Sequence, residues 1–138
     1  MVHALKEVHR ILVPQGIMID VRPLCVDVPL EFVHAGGSES AGLMDLSPDI
    51  ESDIAADKAV DCVIKESLYH ESGLEYFDFV FYWKTLKGME EHIEENWKAY
   101  MVIPEQVRQR ARILYHQRRP QTRIRIGWWM KLGIYGKR

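Results

Sequence analysis

Apolar and polar positions alternate between helical and strand periods along the chain. Residues 2–12 (VHALKEVHRIL) read as an amphipathic helix, since Met1, Leu5, Val8 and Leu12 recur at steps of four, three and four and share one face. Val13-Pro14-Gln15-Gly16 follows as a turn, because proline cannot continue a helix without cost and presets φ for a turn; Pro14 and Gly16 at its second and fourth positions suit type I. Ile17–Val21 is then a short β-rich run closed by Arg22-Pro23.

Leu30–Ala35 and Gly42–Leu46 flank the turn-rich residues 36–40, a pattern that predicts a hairpin with its longest loop around 36–42. Ser47-Pro48-Asp49 has the chemistry of a helix start. The helix it opens should run to about His70, bury Ala55, Ala59, Cys62, Val63 and Tyr69, and end at Ser72-Gly73. Tyr76–Trp83 (YFDFVFYW) is the strongest strand and, apart from Asp78, apolar on both faces, so it should be well covered. Thr85 caps a helix with Leu86, Met89, Ile93 and Trp97 on one face. Pro104-Glu105 opens another, to about Arg118, with Val107, Ala111 and Leu114 inward. Thr122–Ile126 alternates arginine with isoleucine, and Trp128–Tyr135 continues the strand past a bend at Gly127.

Length and composition keep this within ordinary globular limits. The 138 residues, 47% apolar and 28% charged, match one domain spanning 1–138 and argue against disordered or disulfide-scaffold classes. No apolar run approaches the ~20 residues that cross a bilayer, and His3, Lys6, Glu7, His9 and Arg10 leave no apolar leader after Met1; the expected location is cytoplasmic, without a membrane partner. Cys25 and Cys62 have no redox or metal spacing and read as buried free thiols.

Charge is unevenly spread beneath a formal net of −2. Residues 1–104 carry 8 basic and 19 acidic side chains, a net of −11; residues 105–138 carry 10 basic side chains against Glu105 alone, a net of +9. Arginine favours bidentate contacts with phosphate or carboxylate. Arg108, Arg112, Arg119, Arg123 and Arg125 are therefore candidates for a polyanion or RNA surface, the alternative being pairing with the chain's own acidic part or with a second copy.

Other chemistry leaves no pattern. No two glycines are separated by a single residue, so a G-x-G phosphate loop is absent, and there is no G-K-[ST]. The six histidines fall at no zinc-ligand spacing, so no metal is expected. Gly36–Gly42 is not a nucleophile elbow, having no strand-to-helix context. Asp20, near the carboxyl end of the Ile17–Val21 strand, is a candidate for the substrate side of a crevice, since ligands of open α/β sheets gather there; otherwise it is a strand-end acid paired with Arg22.

One local pattern points further. Ala4-Leu5-x-Glu7-x-x-Arg10-x-Leu12-x-Pro14-x-Gly16, followed by the Ile17–Val21 strand, resembles class I S-adenosylmethionine-dependent methyltransferases, in which an L-x-E-x-x-R-x-L-x-P-G-G stretch forms the helix and turn before the fifth sheet strand. Gln15 stands where that family has glycine. The resemblance implies a truncated Rossmann-like α/β half: a small mixed β-sheet with flanking helices, a helix over 52–70, and a final antiparallel pair formed by Tyr76–Trp83 and Thr122–Tyr135 with Leu86–Arg118 inserted between them.

The family's cofactor site lies in its N-terminal half, upstream of the matching residues, so no position here inherits a cofactor role and no cofactor is expected for the isolated chain. The implied protein is methyltransferase-related but not catalytic alone. A strand that has lost one neighbour exposes unpaired backbone groups. Self-association as a homodimer through residues 1–21 would cover it, as would a separate N-terminal methyltransferase half that completes an enzyme in trans.

Overall fold

The computed structural model describes residues 1–138. Helix α1 (Val2–Ile11) leads into strand β1 (Ile17–Pro23), the hairpin β2 (Val28–His34) and β3 (Gly37–Met44), and a 3-10 turn at Ser47–Asp49 that opens α2 (Ile50–Lys65). Strand β4 (Tyr69–Trp83), α3 (Leu86–His92) with a π-helical turn at Ile93–Trp97, α4 (Glu105–Gln117) and β5 (Arg123–Lys137) complete the chain. The result is an α/β protein with a five-stranded antiparallel sheet and flanking helices, in place of the expected mixed sheet. Antiparallel pairing follows from β5: β1, β2 and β4 all hydrogen-bond to it, and β1 and β2 run against it. No helix is long and apolar enough to cross a membrane.

Contacts divide the chain into two units: Met1–Leu24, Ile50–Phe77 and Trp129–Arg138 form the first, and Cys25–Asp49 and Asp78–Trp128 the second. In the first unit β1 pairs with the C-terminal half of β5, Ile17 opposite Gly136 through Pro23 opposite Met130. Leu5, Met18, Ala59, Val60, Val63, Tyr69 and Tyr135 make its core, with Val2, Val8 and Leu12 packed on them. The α1 stripe is therefore covered by the chain itself, apart from exposed Met1. Tyr69 also donates its hydroxyl to the Leu5 carbonyl at 3.0 Å, which fixes α1 against β4.

The turn before β1 is type II rather than type I. Gly16 N–H donates to Val13 O at 2.9 Å, and Gln15, in third place, has φ of 63°. A positive φ there defines type II and favours glycine, which gives a physical reason for the glycine at this place in the P-G-G pattern.

Helix α2 stops at Lys65, five residues short of the expected end, because β4 begins at Tyr69 and takes in Ser72-Gly73 as strand. Its buried side chains are Ala56, Ala59, Val60 and Val63; Ala55 faces solvent and Cys62 is half-buried, as is Cys25.

In the second unit the hairpin is tighter than expected. His34 pairs with Gly37, leaving only Ala35-Gly36 as the turn, so residues 37–41 belong to β3. Their serines and glutamate suit a sheet edge, where polar side chains meet water and the backbone bonds only to β2. Gly42, at φ 127°, lies so close to α4 that a Cβ would sit 2.8 Å from Val107. Leu30, Phe32, Ile124 and Ile126 are buried where β2 pairs with β5, and α4 buries Val107, Ala111 and Leu114 as its periodicity predicts. Thr85 caps α3 by accepting from Gly88 N–H at 3.1 Å, and Leu86, Met89, Ile93 and Trp97 are all buried. Trp97 packs edge-on against Phe81, His92, Trp83 and Trp128, at centroid distances of 4.7 to 5.7 Å.

Strand β4 departs from its expected burial. It hydrogen-bonds only to β5, and Tyr76 and Phe77 in the first unit and Phe79 and Tyr82 in the second are exposed. Aromatic and β-branched content favours extended backbone but does not provide a layer to cover it.

Candidate functional site

Asp20 is drawn into a charged network in the first unit. On β1 its side chain lies on the same face as Met18 and Arg22, and Arg22 Nε donates to Asp20 Oδ2 at 2.8 Å. The same guanidinium reaches α2, with Nη2 2.8 Å from Asp57 Oδ1 and Nη1 3.9 Å from Asp53. Lys131 of β5 donates to Asp57 Oδ1 at 2.9 Å. Burial opposes ionisation of Asp57, but the hydrogen bonds from Lys131 and Arg22 outweigh it and hold the carboxyl below its usual range. For Lys131 burial likewise works against the charge, and the Asp57 contact prevails and raises it. The Asp20 carboxylate is thus a partner of Arg22, and the cluster ties strand to helix.

The five arginine candidates separate into two groups in the second unit. Arg108 is neutralised by Glu90 at 2.8 Å and Glu105 at 3.8 Å. Arg125 is held between Glu31 at 3.1 Å and Asp78 at 3.4 Å. Both guanidinium groups are thus paired with the chain's own acids. Arg112, Arg119 and Arg123 are exposed, with no carboxylate in salt-bridge reach.

Arg119 and Arg123 flank the connection between α4 and β5, where sequence reasoning did not place Lys84. Lys84, at the end of β4, lines one concavity of about 510 Å³ with Arg118, Arg119 and Arg123. Arg118 is anchored: its Nη1 donates to the Tyr115 carbonyl at 2.5 Å and its guanidinium lies 3.7 Å over the Tyr115 ring. A second cavity, of about 530 Å³, is lined by Glu90, Glu91, Glu94 and Glu95 with Lys98 and Arg108. No group of three or more His, Cys, Asp or Glu side chains is arranged to hold a metal ion.

An apolar surface in the first unit is the other unusual feature. Ile17, Ile19 and Val21 alternate to the face of β1 opposite Met18 and are 60%, 62% and 47% exposed. The register sets Ile134 beside Ile19, Leu132 beside Val21 and Met130 beside Pro23, and these three are only half-buried. The face turned to α1 and α2 is packed, the other is bare, and β1 is the end strand of the hydrogen-bonded order. The L-x-E-x-x-R-x-L-x-P signature did not reveal this, because the β1 residues alternate apolar with mixed character and either face could have been the covered one. Comparison with family models, with curated proteins and with solved structures gives no match.

Proposed function

We propose that this chain is a methyltransferase-related scaffold that does not bind S-adenosylmethionine or transfer methyl groups alone, and that it pairs with a second copy of itself through β1. The observation that carries the reading is the bare β1 face, Ile17, Ile19 and Val21, on an end strand. The helix, proline turn and strand stand in the order that the methyltransferase pattern requires, α2 follows, and β4 pairs with β5 across an inserted helical segment. These placements support the resemblance, and with it a Rossmann-like ancestry for the fold.

The bare face is continuous with half-buried Met130, Leu132 and Ile134 of β5, an apolar patch of the kind that marks protein–protein contact sites. Pairing of β1 with β1 of a second copy about a twofold axis would add the strand's free backbone groups to that surface and satisfy them. The interface therefore centres on residues 17–21 rather than on the whole of 1–21.

Sedimentation velocity at micromolar concentration tests the reading. A dimer that Ile19→Lys converts to monomer, with unchanged far-UV circular dichroism, is the expected result, together with no heat of binding when S-adenosylmethionine is titrated in. A wild-type monomer would remove the pairing, and saturable binding of the cofactor to this chain would remove the non-catalytic assignment. A separate N-terminal half completing an enzyme would show as a monomer that acquires cofactor binding only in the partner's presence.

A further inference from the structure

We infer that the concavity at the α4–β5 connection is a binding site for a small polyphosphate anion, a group of two or more linked phosphates. The inference stands on the second unit alone and does not rest on the methyltransferase reading.

Four cations from two places in the sequence meet there, Lys84 from the end of β4 and Arg118, Arg119 and Arg123 from the connection, and no carboxylate lines the space. Gathering four positive charges costs energy in the empty protein, and an anion of matching charge relieves that cost. Elsewhere this chain pairs its buried and half-buried arginines: Arg108 with Glu90, Arg125 with Glu31 and Asp78, Arg22 with Asp20 and Asp57. The cations at the connection are exposed and have no carboxylate in salt-bridge reach, so they remain available to a ligand. Glu39 lines a smaller neighbouring cavity of about 50 Å³ together with His34, Thr122, Arg118 and Arg119, and forms no salt bridge with either arginine.

The backbone is built to hold these side chains in place. Arg119-Pro120-Gln121-Thr122 is a tight turn in which Thr122 N–H and Thr122 Oγ1 both donate to the Arg119 carbonyl, at 3.2 and 2.8 Å, and Gln121 takes φ of 65°. Thr122 is buried and anchors the turn to the core. Arg118 is fixed over Tyr115, so its charge is positioned before any ligand arrives. Preorganised guanidinium groups suit phosphate oxygens, which accept paired N–H donors.

A phosphate ligand is favoured over single-stranded RNA by what the site lacks as a surface. Single-strand binding combines backbone contacts with aromatic faces on which bases stack. No aromatic ring lines this concavity, and the neighbouring Tyr115 ring is covered by Arg118. The concavity offers charge and hydrogen-bond donors and no stacking platform.

Isothermal titration with inorganic tripolyphosphate, at 50 and 200 mM salt, tests the site. Saturable one-to-one binding that weakens with salt is expected. The double variant Arg119→Gln/Arg123→Gln should weaken it by about tenfold or more, and Lys84→Gln by less. Arg112→Gln, exposed on α4 outside the concavity, should change it by less than about twofold. Lys84, Arg112, Arg119 and Arg123 are exposed with no carboxylate in salt-bridge reach, and matched melting temperatures confirm folding of each variant. Absence of saturable binding at 50 mM salt would overturn the proposal, as would equal loss in Arg112→Gln, which marks diffuse attraction. Saturable binding of a ten-residue oligouridylate that tripolyphosphate fails to displace would overturn it in favour of nucleic acid.

Discussion

Arg22 Nη2 donates to Asp57 Oδ1 at 2.8 Å, joining the face of β1 to the middle of α2. Lys131 meets the same oxygen at 2.9 Å, so a single carboxylate answers two cations. Replacing Asp57 with alanine leaves Lys131 without its hydrogen-bond acceptor and Arg22 with Asp20 as its closest partner. Because the Asp57 side chain is 46% exposed, water takes over part of the lost interaction. A destabilisation of about 1 kcal/mol is expected from urea unfolding.

The same carboxylate gives a pH signature. Its folded value lies below the ordinary aspartate range, so its contribution is complete above the unfolded value near ~4 and is lost as pH falls through the folded value. The stability difference between wild type and Asp57→Asn should therefore be constant from neutral pH down to about 5 and shrink below about 4. Lys131, raised in the fold, works in the opposite sense: its share is present below the unfolded value near ~10.4 and disappears as pH rises past the folded one. A difference that stayed constant down to pH 2.5 would show that Asp57 carries no linked proton.

Gln15 occupies left-handed backbone at the third position of its turn, at φ of 63°. A side chain in that region costs roughly 1–2 kcal/mol, offset in part by the greater freedom of glycine in the unfolded chain. Gln15→Gly should raise stability by about 0.5–1 kcal/mol, read as a higher urea midpoint at unchanged slope. Gly16→Ala should do the reverse, since a Cβ there would lie 2.8 Å from the Val13 carbonyl oxygen.

Gly133 lies under the Tyr135 ring. A Cβ at this position would sit 2.5 Å from the tyrosine hydroxyl and 2.6 Å from its ring, and Tyr135 is buried in the core of the first unit. Gly133→Ala must displace the ring, at an expected cost of about 1–3 kcal/mol. In a double-mutant cycle with Tyr135→Ala the alanine at 133 should cost much less, because the clashing ring is gone. Additive costs would show that the strain lies in the backbone.

Trp97 is the hub of the aromatic packing in the second unit, buried against Phe81, His92 and Trp128 with centroids 4.7 to 4.8 Å away. Trp97→Ala should cost about 3–5 kcal/mol and abolish the near-ultraviolet dichroism of the cluster. Lys98→Ala, next in sequence and exposed, should leave both nearly unchanged.

Helices were the most legible part of the chain. The α4 stripe of Val107, Ala111 and Leu114 and the α3 stripe continuing to Trp97 are buried as their spacing predicts, because a helix exposes its covered side in its own periodicity. Strand limits were less legible. Ser38, Glu39 and Ser40 read as loop by residue type, yet hydrogen bonding to Val33, Phe32 and Glu31 makes them strand. Tyr76–Trp83 announces extended backbone, while its lack of cover depends on layers contributed by distant segments. The candidate site was half legible: Arg119 and Arg123 stood out by charge, but little local distinguished them from Arg108 and Arg125, whose closest acids, Glu90 and Glu31, lie 18 and 94 residues away.

Local sequence settled the proline turn before β1 and the dry faces of α3 and α4, since periodicity and proline act over a few residues. The pairing of β1 and β4 with β5, the neutralisation of two arginines and not the others, and the exposure of Ile17, Ile19 and Val21 were decided by tertiary structure. The reason is physical: charge pairing and burial depend on which surfaces meet, and those surfaces come from segments far apart in the chain.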